Sequence, residues 1–547
     1  MQDKGRYDLL VIGAGIFGAT LAYEASQRGL KVLLVEKNDF GSGTSSNSLK
    51  TIHGGLRYLQ GFDIKSSLIS SNERKAWLTM APGLVRPLSC LLPTTKDLMK
   101  SKLLVGAGAL FYNMLTSNRN AGMPELAKIP NAHLISLVEL NERVPKLADN
   151  NVTGGACWYD AQATNTERLV MACLLAAKKQ GAELLNYCSI ERLEKQNSLY
   201  NARLVRSLDA DKQAVDSNIS AKLVVDCSGK GQFIEKEYLS ELDVNKKHSP
   251  VYVKAVNLVL KQKISDHAFG IKAIDEAGMS RLLFIAPWCD SYTLLGTWYF
   301  DCDEADQHSL SSEDIGSCIA QANSAFEKPL FSIDDVIQVH LGHLPADKAQ
   351  LSQKGPDAAL IKHAELKDWG ELDAENNGLY SLKGTKFTLA RSAAEDTIAS
   401  LEQKHYLKLK PSVSANTALW GCVEGDIEQL ENIGLNNLQI TFLVDYFSVD
   451  LPAIIELCRS DIKMLNPVPG AEYCCHVVLE YCVQYEFVQH LTDLLIRRVP
   501  IGNGEPPSEE TTSYVVAFLA ERLNWDQSQK DGEVKALNHY YMKRKIA

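Results

Sequence analysis

A chain of 547 residues holds three or four structural units at ~100–200 residues each, which excludes a peptide, a small binding module or a repeat array. Its make-up, 45% hydrophobic and 23% charged, is that of a folded protein with several cores. With 57 Lys and Arg against 67 Asp and Glu, the net charge of −10 has the wrong sign for general binding to nucleic acid or anionic lipid, so an anionic ligand needs a local basic pocket.

Residues 7–13 (YDLLVIG) are apolar and β-branched, as expected of a strand buried on both faces of a parallel sheet. A helix over 16–29 and a second strand over 31–36 complete a βαβ unit. A Gly/Ser loop follows over 41–48, then a helix beginning near Gly54. The apolar run 103–115 is too short for the ~20 residues that span a bilayer and reads as a buried core helix. Flanking Lys96, Lys100 and Lys102 leave an interfacial helix on anionic headgroups as the alternative.

Helical periodicity returns over 167–181, and strands over 183–189 and 222–227 lead back to the first sheet. Residues 251–260 and 282–298 alternate and are aromatic-rich, as in an antiparallel sheet of a substrate domain. The polar stretch 347–377 reads as surface, 411–418 as a linker and 426–547 as mostly helical. The 13 cysteines are odd in number and form no CxxC pair, so neither a disulfide framework nor a metal site is expected; adjacent Cys474 and Cys475 read as thiols on one helix. Residues 1–6 run straight into a strand pattern, so the expectation is a cytoplasmic chain without a signal peptide.

Gly13, Gly15 and Gly18 form a GxGxxG between strand and helix, where glycines permit a tight turn, close approach to a pyrophosphate, and helix–sheet packing. Glu36 ends the second strand, 21 residues after Gly15, where a carboxylate accepts hydrogen bonds from a ribose; Lys37 follows it. This pattern serves NAD and FAD alike. The hydroxyl-rich loop with Thr44, Ser45 and Ser46, followed by His53, Gly54 and Gly55, favours FAD. It offers donors to a pyrophosphate and a bare edge for a flat ring.

The segment GTSSNSLKTIHGGLRYL, residues 43–59, resembles the flavin segment of the FAD-dependent glycerol-3-phosphate dehydrogenases, within the D-amino-acid-oxidase-like flavoproteins. Trp158-Tyr159-Asp160, Asp226-Cys227-Ser228-Gly229, Gly384-Thr385-Lys386-Phe387-Thr388 and Asp493 with Arg497-Arg498 extend the resemblance over most of the chain. It implies an α/β fold: a Rossmann-type FAD-binding domain (1–90, 150–230 and 345–405), an antiparallel-sheet substrate or cap domain (91–149 and 231–344), and a C-terminal helical domain (410–547).

The implied chemistry is hydride removal from a substrate carbon to the flavin N5 while a base takes the hydroxyl proton. Ser228, Gly229, Gly384, Thr385, Lys386 and Thr388 join the cofactor set. Arg57 and Lys386 are the expected anion partners and catalytic cations, with Tyr58, Lys254, Asn257 and Trp298 completing the substrate set. His53 is expected to pack against the flavin.

Three departures put glycerol 3-phosphate itself in doubt. The family's substrate arginine falls on Leu344, a family histidine on Asn257, and the GTTD segment reads Gly296-Thr297-Trp298-Tyr299. Losing a charge-assisted bond costs roughly 1.5–3 kcal/mol in binding. His343, beside the missing arginine, is the expected replacement base. The reading is therefore an FAD-dependent dehydrogenase of a small anionic hydroxylated substrate with an altered pocket. An amine or amino-acid oxidase, and an inactive flavin-binding accessory subunit, stay open as alternatives. So do a quinone or other electron acceptor, peripheral contact with the inner face of the cell membrane, and a homodimer; nucleic acid is not an expected partner.

Overall fold

The computed structural model describes residues 5–206, 218–231, 233–238, 251–289, 291–302, 310–419, 424–447 and 450–544. Residues 1–4, on which the expectation about a leader rests, lie outside them. β1 (Arg6–Ile12) buries Leu9, Leu10 and Val11 completely, as a strand covered on both faces must. It pairs in parallel with β2 (Val32–Val35) on one side and with the strand Asn218–Asp226 on the other. The strands Leu379–Lys383 and Glu183–Leu185 extend this parallel sheet outward. The helix between β1 and β2, α1 (Ile16–Gln27), buries the small residues Gly18, Ala19, Ala22 and Ala25.

A second sheet of nine described strands runs from Val336–Ala346 at one edge, through Val251–Leu260, Tyr292–Asp301, Ser280–Trp288, Ala268–Ile274 and Val85–Thr95, to Val152–Ala163 and Thr51–Ile52, with the ninth, His133–Ser136, paired to Val152–Ala163. It is antiparallel except where Ala268–Ile274 meets Val85–Thr95. Val152–Ala163, counted by sequence with the dinucleotide unit, is a strand of this second sheet. Residues 347–377, read as surface, include the strand Glu365–Asp368 on the edge of the first sheet and the fully buried Trp369.

The C-terminal unit packs helices from Glu424–Ile433 to Gln527–Arg544 around a core of its own. Cys474 and Cys475 are buried there, in the short strand Ala471–Cys475 rather than on a helix. Buried ions fasten this unit to the first. Asp39, just past β2, accepts from Arg498 Nη1 and Nη2, each at 2.8 Å, and from Arg497 Nε at 2.5 Å. Burial alone would raise the Asp39 carboxyl; Arg498 and Arg497 together hold it well below the usual range. Arg168 pairs with Glu486 at 2.6 Å, both side chains completely buried.

The helix Lys102–Leu115 departs from expectation most plainly. Only Ala109 and Tyr112 are buried on it, while Leu103 is 86% exposed, Leu110 72% and Met114 69%. An apolar run identifies a face that seeks burial, and here the described residues do not cover it.

Candidate active site

A cleft of about 1850 Å³ separates the two sheets and is lined from both. Single drug-sized sites are roughly 300–1,000 Å³, so this one has room for a dinucleotide and a small substrate together. At one end, β1 passes into α1 through Gly13. The residue has φ +95, and a Cβ there would lie 2.7 Å from the Ser228 Cα, so only glycine lets the two loops touch. Gly15, the N-cap of α1, has no side chain to cap the helix; the Ile16 amide instead donates to Ser45 Oγ at 2.9 Å. Gly18 packs against the Gly13 carbonyl.

Glu36 Oε2 accepts from the Ala14 amide at 2.8 Å and Oε1 from the Asn38 amide at 2.9 Å. Burial raises its carboxyl, and those amides offset part of the effect. Lys37, Thr44, Ser228 and Gly229 line the same end. Thr44 Oγ1 accepts from the His343 amide at 3.0 Å and donates to the His343 carbonyl at 3.2 Å, tying the loop to the second sheet. Ser46, expected among the cofactor donors, is instead buried inside that loop and does not line the cleft, its hydroxyl donating to the Gly43 carbonyl. Together these give a helix N-terminus, a terminal acid and hydroxyl donors around a bare glycine turn. That donor set fits the ADP half of FAD.

Further along, the Gly54 amide donates to Asp160 Oδ1 at 2.6 Å. Asp160 also receives Trp158 Nε1 at 3.1 Å, and Arg74 donates to the Tyr159 carbonyl beside it. A buried lattice therefore holds the backbone of Gly54 and Gly55, and the next turn, Leu56–Gly61, carries Arg57 and Tyr58 into the cleft. Opposite stands the loop from Gly384. A Cβ on Gly384 would fall 2.1 Å from the Phe17 ring, so a side chain there would close the space. Thr388 Oγ1 accepts from the His53 amide at 3.2 Å, and its carbonyl accepts from Trp77 Nε1 at 2.9 Å. Thr385 and Lys386 line the cleft between them, with Lys386 Nζ lying 4.9 Å over the Tyr58 ring.

His53 lines the cleft edge-on to Tyr58. Burial, helped by the charges of Lys386 and Arg74 and opposed by Asp160, pushes its imidazole down to about 4. His343 is placed differently. It pairs across the ladder with Lys254, whereas Gly342 pairs with Ala255 and Leu344 with Val253, so alternation puts His343 and Leu344 on opposite faces of their strand. Both nevertheless line the cleft, and His343 Nε2 lies 3.0 Å from Lys230 Nζ, which lines it too.

Two expected substrate residues do not reach the cleft. Lys254 is off its wall because Ala255 and Asn257 take the inward positions. Trp298 is buried beneath the sheet, donating Nε1 to Gln321 Oε1 at 2.8 Å. Asn257 does line the cleft, its Oδ1 accepting from Thr297 Oγ1 at 2.7 Å. Arg281, Lys362 and His363 also line it and were missed by sequence. So was Arg74, although the Trp158-Tyr159-Asp160 signature pointed at its partner.

Comparison with known proteins agrees with this geometry. The profile of FAD dependent oxidoreductases matches residues 8–395, and that of the C-terminal domain of alpha-glycerophosphate oxidase matches residues 412–530. A glycerol-3-phosphate dehydrogenase of Synechocystis is 27% identical over 98% of this chain and 96% of its own length. The mitochondrial glycerol-3-phosphate dehydrogenase of Homo sapiens is 26% identical over 99% of this chain and 74% of its own. In fold, the chain resembles the Bacillus halodurans glycerol-3-phosphate dehydrogenase solved with FAD, at a TM-score of 0.71 and 21% identity, covering 100% of this chain and 96% of that one. The glycine turn, the terminal acid and the profile matched over most of the chain lead to one conclusion: the chain belongs to the FAD dependent oxidoreductase family.

Proposed function

We propose that the protein is an FAD-dependent dehydrogenase that oxidises the alcohol carbon of a small anionic hydroxy compound of the glycerol 3-phosphate type, in a pocket altered at Leu344 and Asn257. One observation carries the reading: a histidine held neutral, His53, shares a cleft wall with the cations Arg57 and Lys386, next to the backbone of Gly55. The relatives named glycerol-3-phosphate dehydrogenase supply the substrate class.

FAD, when bound, supplies the two-electron acceptor. The chain's residues do the rest. Arg57 offers a planar fork and Lys386 a point charge to the anionic head, which orients the alcohol end inward. His53, uncharged at neutral pH, accepts the hydroxyl proton, a role that its position supports better than that of His343. Burial pushes the Lys386 ammonium down, so an arriving anion gains more there than at an exposed lysine. The reading is tested by dye-linked turnover: sn-glycerol 3-phosphate or a related hydroxy phosphate is expected to be oxidised, and glycerol and amino acids far more slowly. Preferential oxidation of an amino acid contradicts it.

The uncovered helix Lys102–Leu115 adds a location. Leu103, Leu110 and Met114, with the exposed Leu98 and Met99 before them, form an apolar face flanked by Lys96, Lys100 and Lys102 against one acid, Asp97. That composition suits an anionic lipid surface, where apolar burial and basic residues act together. No helix among the described residues is long and apolar enough to cross a membrane. The protein is expected to co-sediment with phosphatidylglycerol vesicles, and a Leu103→Glu, Leu110→Glu variant to stay in the supernatant. Equal behaviour of the two proteins contradicts a role for this face.

A further inference from the structure

Leu344 lines the cleft where the resemblance sets an arginine, and brings no charge. The charge is found on a neighbouring segment. Residues 360–363 run along the open edge of the strand Val336–Ala346: Leu360 bridges Ala346, and the Ile361 amide donates to the Pro345 carbonyl at 3.4 Å. On its other side the same segment is fastened to the loop from Gly384. Thr385 Oγ1 donates to the Ile361 carbonyl at 2.8 Å, and Lys386 Nζ to the Lys362 carbonyl at 2.7 Å.

The backbone at 361–362 is therefore fixed from two directions, within two residues of Leu344 on one side and at Lys386 on the other. Lys362 and His363 enter the cleft wall that also holds Arg57, Tyr58 and Lys386. The acid facing this group is Asp63, whose carboxylate feels His363 and Lys362 but caps the helix Ile64–Met80 by accepting from the Ser66 amide at 3.0 Å. Burial is the main influence lowering the Lys386 ammonium, and the like charge of Lys362 adds to it. A wall with this excess of positive charge is completed by an anion.

We propose that Lys362 is a specificity-determining residue, its ammonium binding the dianionic head of a phosphomonoester in place of the cation missing at position 344. This deepens the function proposed above and rests on it for the substrate class. Distance in sequence hides the replacement: position 362 lies 18 residues beyond 344, and only the pairing of Leu360 with Ala346 brings the two together.

The test uses FAD-loaded wild type, Lys362→Gln and Lys362→Arg, with inorganic phosphate as the calorimetric probe and sn-glycerol 3-phosphate as the kinetic one. In Lys362→Gln the dissociation constant for phosphate and the KM are each expected to rise about tenfold or more, with kcat within about threefold and flavin content unchanged. Lys362→Arg is expected to restore most of the loss. Phosphate affinity within about twofold of wild type in Lys362→Gln, or no phosphate binding by the wild type, overturns the proposal. Phosphate binding that depends on Lys362, without turnover of any hydroxy phosphate, upholds the anion site and refutes the function proposed above.

Discussion

Replacing His53 by Gln is expected to lower kcat by a factor of about 10²–10⁴ while FAD stays bound, because the amide side chain keeps the shape but cannot take a proton at neutral pH. Flavin retention follows from how the residue is held. The His53 backbone amide, not its ring, donates to Thr388, so the loop geometry survives the change. The pH profile carries a second signature. Burial first, then the charges of Lys386 and Arg74, bring the imidazole down to about 4 against the pull of Asp160. The base is therefore already deprotonated from pH 6 upward, and kcat/KM of the wild type should be level there. It should fall only as the pH drops well below 6.5 and the ring takes up its proton. In His53→Gln this acid limb disappears. Near-wild-type kcat in that variant moves the base elsewhere, and His343 becomes the next residue to test.

Asp39→Asn is expected to destabilise the protein by about 3–5 kcal/mol, the usual cost of leaving buried charge uncompensated. Arg497 and Arg498 both aim at this carboxylate, and the change strips their shared partner while preserving its size. The sign with pH follows from the direction of the shift. The folded-state carboxyl is held below its unfolded value, so its stabilisation is present above the unfolded pKa of about 3.9 and is lost as the pH falls beneath it. Asp39 lies three residues after Glu36 and five before Thr44, so loosening it frees the cofactor loop from the C-terminal unit. Differential scanning fluorimetry should show a melting temperature several degrees lower, with FAD released earlier. An unchanged melting curve contradicts the fastening role of the pair.

The parts of this architecture that were legible in the sequence are those whose cause is local. An unbroken apolar strand, a glycine turn and an acid at the end of the next strand form within residues 6–36, and each is dictated by neighbours a few positions away. The diglycine segment at 54–55 was legible for the same reason. What escaped depends on partners remote in the chain. Apolar content marked the helix over Lys102–Leu115 but cannot say whether anything covers it.

Lys254 was misplaced by strand parity, since it and Asn257 are an odd number of residues apart and so fall on opposite faces. Lys362 and His363 belonged to a stretch that reads as solvated surface, and only the contacts of Ile361 with Pro345 and Thr385 turn that stretch toward the cleft. The buried arginines 497 and 498 were visible as a pattern, but their partner Asp39 lies more than 450 residues away.

The most direct test of the whole account is an anaerobic titration of the purified, FAD-loaded protein with sn-glycerol 3-phosphate, followed at the visible flavin band. The yellow colour is expected to bleach at stoichiometric substrate, and His53→Gln to bleach far more slowly from the same starting spectrum. A correctly folded protein that binds no FAD, or one whose flavin stays oxidised with every hydroxy phosphate offered, would contradict it.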